Sequence, residues 1–262
     1  MFSLDDITKQ YPHALIERVS SLQNIIYGGA LPLAFFVLWS LITRAGVHKA
    51  QVTILGFLIS ITLTSFLTDV VKNAVGRPRP DLVARCKPVK GTPMHELVTI
   101  AVCTETDHHT LHDGWRSFPS GHSSFSFSGL GYLALFLAGQ MHIFRPRTDF
   151  ARVLVSLAPL IGAAMVAMSR LADYRHDVYD VTCGSLLGIS IAYFSYRRYY
   201  PSLKRAKCDE PYPSRAEYTQ TGAGKLGDEE QHLRDTEEYS LEDFTHDDAE
   251  MRPLHSGTKD HE

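Results

Sequence analysis

The chain has 262 residues, of which 44% are hydrophobic and 21% charged, with a formal net charge of -3 and a mean hydropathy of -0.10. These averages hide an uneven division: residues 1–200 carry 18 Lys and Arg against 13 Asp and Glu, whereas residues 201–262 carry 8 against 16. Long charge-free apolar runs crowd the first part and are nearly absent from the second, which excludes a simple soluble enzyme, and four cysteines without a CxxC pair exclude a disulfide-dense scaffold or a zinc ribbon.

In chain order, residues 1–24 are polar and lack the apolar core of a signal peptide. Uncharged stretches then run from Ile25 to Thr43, Ala50 to Thr68, Ser117 to Phe144, Val153 to Ser169 and Val181 to Tyr196. Each reads as a transmembrane helix, the last two being short for a bilayer crossing. The predicted fold is an all-α, multi-pass transmembrane helical bundle of five spans over residues 25–200. An outer segment, 1–24, precedes it and a disordered acidic cytoplasmic tail, 201–262, follows.

Basic residues in short loops favour the cytoplasmic side. Arg44 and Lys49 follow span one, Arg145, Arg147 and Arg152 follow span three, and Arg197 and Arg198 follow span five. The connections 71–116 and 170–180 then fall on the lumenal or extracellular side, although the first carries Lys72, Arg77, Arg79, Arg85, Lys87 and Lys90. Positive charge held against that rule implies a function. A polar N-terminus placed outside without a span before it leads to the expectation of a truncated product that begins in the first outer loop.

Three motifs fall on that outer face: Lys72-x6-Arg79-Pro80 leaving span two, Pro119-Ser120-Gly121-His122 entering span three, and Ser169-Arg170-x5-His176-x3-Asp180 between spans four and five. The residue types suit attack on a phosphate ester or anhydride. Lys72, Arg79 and Arg170 supply fixed positive charge for phosphoryl oxygens. Backbone N–H groups at Ser120, Gly121 and His122 offer a helix N-terminus to an anion, and Gly121 permits close approach. Pro78 and Pro80 take Arg79 out of the helix. His176 and Asp180, four residues apart, stack if span five begins there, which makes His176 the candidate nucleophile oriented by a carboxylate and leaves His122 as general acid. No Asp/Glu cage is evident, so no metal and no cofactor is expected.

Together with the extended Ser117-Phe118-Pro119-Ser120-Gly121-His122-Ser123-Ser124 and Gly76-Arg77-Pro78-Arg79-Pro80 stretches, these motifs resemble those of the type 2 phosphatidic acid phosphatase superfamily. The setting is similar to its integral-membrane lipid phosphate phosphatases and diacylglycerol pyrophosphate phosphatases. The resemblance covers residues 1–200. It implies six spans where five are counted, a phosphohistidine intermediate on His176, acid catalysis by His122, phosphate binding by Lys72, Arg79, Ser120, Gly121 and Arg170, and magnesium-independent hydrolysis of phosphatidate, lysophosphatidate or diacylglycerol pyrophosphate. It also implies a vacuolar, Golgi or plasma membrane location. The partner is then a membrane lipid phosphate and not a nucleic acid. Polyisoprenyl pyrophosphate or sphingoid-base phosphate would serve the same motifs. An anion or lipid transporter is the rival from another class, which the acid and nucleophile pair speaks against.

Other features carry less. His108, His109 and His112, beside Asp107 and Asp113, read as a solvated loop rather than a metal cluster. Cys86 and Cys103 share the outer loop, where an oxidising compartment permits a disulfide. Gly222-x-Gly224-Lys225 lacks the Ser or Thr of a P-loop, and neither Asn24 nor Asn73 begins a glycosylation sequon.

Overall fold

The computed structural model describes residues 1–214; the predicted disordered tail lies outside the described residues from position 215 onward. Among the described residues, five long helices are joined by two short α-helices and a two-residue strand pair. Strand β1 (Phe2–Ser3) pairs antiparallel with β2 (Leu97–Val98), Phe2 opposite Val98. Helix α1 spans Ser21–Ile42, α2 Val47–Val75, α3 Leu82–Cys86, α4 His108–Asp113, α5 Gly121–Gln140, α6 Phe150–Ala172 and α7 Val178–Tyr199.

The long helices α1, α2, α6 and α7 are each long and apolar enough to cross a membrane. The chain is a multi-pass membrane protein. Helix α5 is less apolar for a reason visible in its packing: it sits among α1, α2, α6 and α7, and its buried positions are largely Ser and Gly. Ser124 bonds Thr68 at 2.8 Å, while Ser128 bonds Ser60 at 2.7 Å and Thr64 at 3.0 Å. Each such interhelical bond contributes about 0.6 kcal/mol in a membrane. On the opposite side α7 lies close because it presents glycine. A Cβ at Gly188 would lie 2.2 Å from the Ser124 carbonyl oxygen, and one at Gly184 2.6 Å from that of Ser120. This small-residue contact fixes α5 against α7 where both begin.

Helices α2, α6 and α7 run past the limits set by counting uncharged residues, whereas α5 falls inside its expected run of Ser117 to Phe144. The second span extends from the expected Thr68 to Val75 and carries Asp69 and Lys72 on helix; it stops at Gly76, whose φ of +59° suits glycine, and Pro78 and Pro80 follow. The last helix begins at Val178 rather than Val181, because Asp177 and Asp180 form a reciprocal capping box at its start. A charge near a helix end ends the apolar run without ending the hydrogen-bonded ladder.

The end of the bundle away from the strand pair is filled by Phe36, Phe57, Tyr132, Phe136, Tyr196 and Tyr200. Residues after α7 pack back onto this end as far as Tyr212: the Tyr212 N–H donates to the Tyr199 carbonyl at 2.9 Å, and buried Cys208 donates to the Gly139 carbonyl at 3.4 Å. At the opposite end Phe2, Leu4, Leu82, Cys86 and Val98 form a small second core. A Cys86–Cys103 disulfide closes the loop beside it.

Candidate active site

The helix directions bring all three motifs to the end of the bundle that carries the strand pair, where a cavity of about 470 Å³ is lined by Lys72, Arg79, Gly121, His122, Arg170 and His176 among others. Lys72, in the last turn of α2, donates to the Arg116 carbonyl at 2.9 Å and lies beside Gly121, where an added Cβ would meet the lysine Cε at 3.6 Å. Arg79 follows the Pro-bounded stretch. Its guanidinium donates to the Asp113 carboxylate at 2.7 Å, the Asp113 carbonyl at 2.8 Å and the Arg175 carbonyl at 3.3 Å. Arg170, in the last turn of α6, is 1% exposed and is compensated by Glu17 at 2.8 Å and Asp173 at 3.0 Å. A guanidinium this buried requires such partners, since an unpaired one would cost several kcal/mol.

His176 does not stand on α7, as the four-residue spacing predicts; it immediately precedes the cap residue Asp177. Its Nδ1 still lies 3.5 Å from Asp180 Oδ2, and Ser117 completes the link. The Ser117 hydroxyl donates to Asp180 Oδ2 and sits 3.5 Å from the same ring nitrogen. With Nδ1 turned to Ser117 and Asp180, Nε2 is the nitrogen left for the cavity. Asp180 is fixed in turn by Arg77, which donates to Oδ1 at 2.9 Å and also pairs with Asp177. His176 is 4% exposed; its burial, reinforced by the charges of Arg79 and Lys72, holds its pKa well below 6.5, so the ring is neutral at neutral pH.

Ser120 and Asp180 are fully buried behind the cavity and are absent from its lining. The Ser120 N–H donates to the Asp180 carbonyl at 2.9 Å, and its hydroxyl caps α5 by accepting from the Ser123 N–H at 3.4 Å. Ser120 therefore ties α5 to α7, and its amide is occupied. Gly121 and His122 do reach the cavity.

Several contributors have little sequence signal. Ser117 and Arg77 lie within the extended motifs, where nothing in their spacing assigns them a task. Asp113, predicted to be part of a solvated loop, bridges Arg79 and Arg85 at 2.7 and 3.0 Å. Burial raises its pKa, and the two arginines outweigh that and keep it ionised. Glu17 comes from the polar N-terminal segment. Its carboxylate spans Arg170 at 2.8 Å and Arg175 at 2.9 Å, and against the effect of burial these arginines hold its pKa below the ordinary value. The segment is anchored on both sides, by His13 to Asp81 at 2.6 Å and by the Arg18 N–H to Asp173 at 2.9 Å. No periodicity or motif announces it.

The PAP2 superfamily profile matches residues 53–204. The chain is 41% identical to diacylglycerol pyrophosphate phosphatase 1 of Saccharomyces cerevisiae over 81% of its own length and 73% of the relative's. It is 40% identical to a probable diacylglycerol pyrophosphate phosphatase 1 of Schizosaccharomyces pombe, over 80% and 76%. Lipid phosphate phosphatase 2 of Arabidopsis thaliana is 39% identical over 65% of this chain and 58% of that one. The chain belongs to the PAP2 superfamily, and it is a phosphatase-type hydrolase embedded in a membrane.

Proposed function

We propose that the protein dephosphorylates lipid phosphates, phosphatidate, lysophosphatidate or diacylglycerol pyrophosphate, through a phosphohistidine on His176 and without magnesium. The observation that carries this reading is the convergence of Lys72, Arg79, His122, Arg170 and His176, from three distant segments, on one cavity at the mouth of the membrane helices. A headgroup seated there leaves its acyl chains in lipid. The relatives' names, a diacylglycerol pyrophosphate phosphatase and a lipid phosphate phosphatase, support a lipid phosphate substrate.

In the first step neutral His176 Nε2 attacks phosphorus, the bond from phosphorus to the leaving oxygen breaks, and His122 gives that oxygen a proton. Asp180, acting directly and through Ser117, stabilises the charge that develops on the ring. In the second step His122 takes a proton from water, whose oxygen attacks the phosphorus and breaks the P–N bond to release inorganic phosphate. Lys72, Arg79 and Arg170 neutralise the phosphoryl oxygens throughout. The Cys86–Cys103 disulfide favours an oxidising compartment, and thus a lumenal or extracellular face, for this end of the bundle.

The test is phosphate release from short-chain phosphatidate and diacylglycerol pyrophosphate in EDTA, with alkaline-detergent quenching to trap the radiolabelled enzyme. EDTA-resistant turnover and an acid-labile, base-stable label, both abolished by His176→Gln, are expected. Turnover that persists in His176→Gln would remove the proposed nucleophile.

A further inference from the structure

A second and larger cavity, of about 830 Å³, lies in the wall between α1, α5 and α6. Its sides are apolar: Leu31 and Phe35 from α1, Leu130 and Leu133 from α5, and Met165 and Met168 from α6. Gly162 keeps one side low, since an added Cβ there would meet only Leu130 Cδ1, at 3.7 Å. We propose that this groove is an acyl-chain site, which seats a long chain of the substrate while its phosphate occupies the cation-lined cavity. The proposal rests on the lipid phosphatase reading and adds to it where the chain goes.

Three observations single out this occupant. First, neighbouring residues line the two cavities. Glu17 and Arg170 line the polar one, while their chain neighbours Arg18 and Ser169 line the apolar one, and Arg170 Nε donates to Ser169 Oγ at 3.1 Å. A headgroup on Arg170 is therefore one residue from the lining of the groove. Second, the length fits. Along α6 the lining runs from Ala172 to Pro159, thirteen residues or about 20 Å at the helical rise. That is long enough to span one leaflet's share, about 15 Å, of a hydrocarbon core of about 30 Å. Third, the polarity grades correctly, with Arg18 at the headgroup end and only apolar or glycine positions deeper along α1, α5 and α6.

Gly162→Phe fills the groove seven residues below Ser169, about 10 Å from the headgroup end. Met165→Trp narrows it from a position 63% exposed, where the fold tolerates bulk. In mixed micelles each variant is expected to lose at least tenfold in kcat/KM for dipalmitoyl phosphatidate while staying within twofold of wild type for dibutyryl phosphatidate, whose chains are too short to reach position 162. Turnover of the short substrate reports that the site has folded. Equal losses on both substrates in both variants, or no loss on the long one, would overturn the proposal.

Labelling that does not depend on turnover separates this proposal from the reading beneath it. Phosphatidate carrying a mid-chain diazirine should mark α1, α5 and α6 of the full chain, and Met165→Trp should reduce that label severalfold. Labelling elsewhere, or crosslinks between two copies through these helices in place of lipid, overturns the groove even if the enzyme is active. Correct labelling of a protein that hydrolyses neither phosphatidate nor diacylglycerol pyrophosphate leaves the groove standing and removes the phosphatase reading.

Discussion

Ser117→Ala isolates the link between the carboxylate and the nucleophile. Ser117 is fully buried, donates to Asp180 Oδ2 and stands 3.5 Å from His176 Nδ1. Its loss removes a hydrogen bond to a charged group, worth about 1.5–3 kcal/mol. Asp180 stays in place through Arg77 at 2.9 Å and the Asp177 N–H at 3.3 Å, so the helix end survives. The link matters most when His176 carries the phosphoryl group and its ring gains positive charge, so the effect falls on the transition state rather than on substrate binding. At about 1.4 kcal/mol per tenfold, kcat should fall roughly 10- to 100-fold with KM within twofold. Ser117→Thr keeps the hydroxyl and should recover most of the rate. The assay is steady-state phosphate release together with single-turnover formation of the phosphoenzyme. Unchanged kcat in Ser117→Ala, or an equal loss in the Thr variant, would refute the positioning role.

Glu17→Gln should make inorganic phosphate a better inhibitor, about tenfold in Ki for a single charge-assisted contact given up, because the carboxylate spanning Arg170 and Arg175 no longer competes for them. A weaker phosphate inhibition would mean that Glu17 instead holds the arginines in place. The pH profile follows from His176: its folded pKa lies below 6.5, so the acid limb of phosphoenzyme formation should fall below pH 6.5, and a limb above that value would contradict the burial. The unfolded chain takes up this proton near 6.5 while the folded one does not, so His176 favours folding fully above pH 6.5 and progressively less below it. Replacing Cys86 and Cys103 with Ser opens a loop of sequence separation 17 and should cost about 3 kcal/mol, read as a lower thermal midpoint that reductant no longer changes.

The chain's own order and residue types determined the class. Apolar runs and their spacing required a helical membrane bundle, and because successive helices reverse direction, motifs placed between alternate runs had to return to one face. The identity of Lys72, Arg79, His122, Arg170 and His176 as cavity residues was legible for the same reason. Boundaries were less so, since a side-chain charge such as Asp69 or Lys72 interrupts hydropathy while the backbone ladder of α2 continues to Val75.

The tertiary structure alone decided who holds these residues. Ser117 reaches Asp180 across 63 positions, Arg77 across 103, and Glu17 reaches Arg170 across 153, contacts that no local period encodes. It also placed Ser120 as a tie between α5 and α7, because Gly184 lets the two helices approach until the Ser120 N–H meets the Asp180 carbonyl. Sequence records which groups are available, helix by helix. Their pairing depends on which faces close packing brings together, and that is set by small residues and buried charges whose partners lie far along the chain.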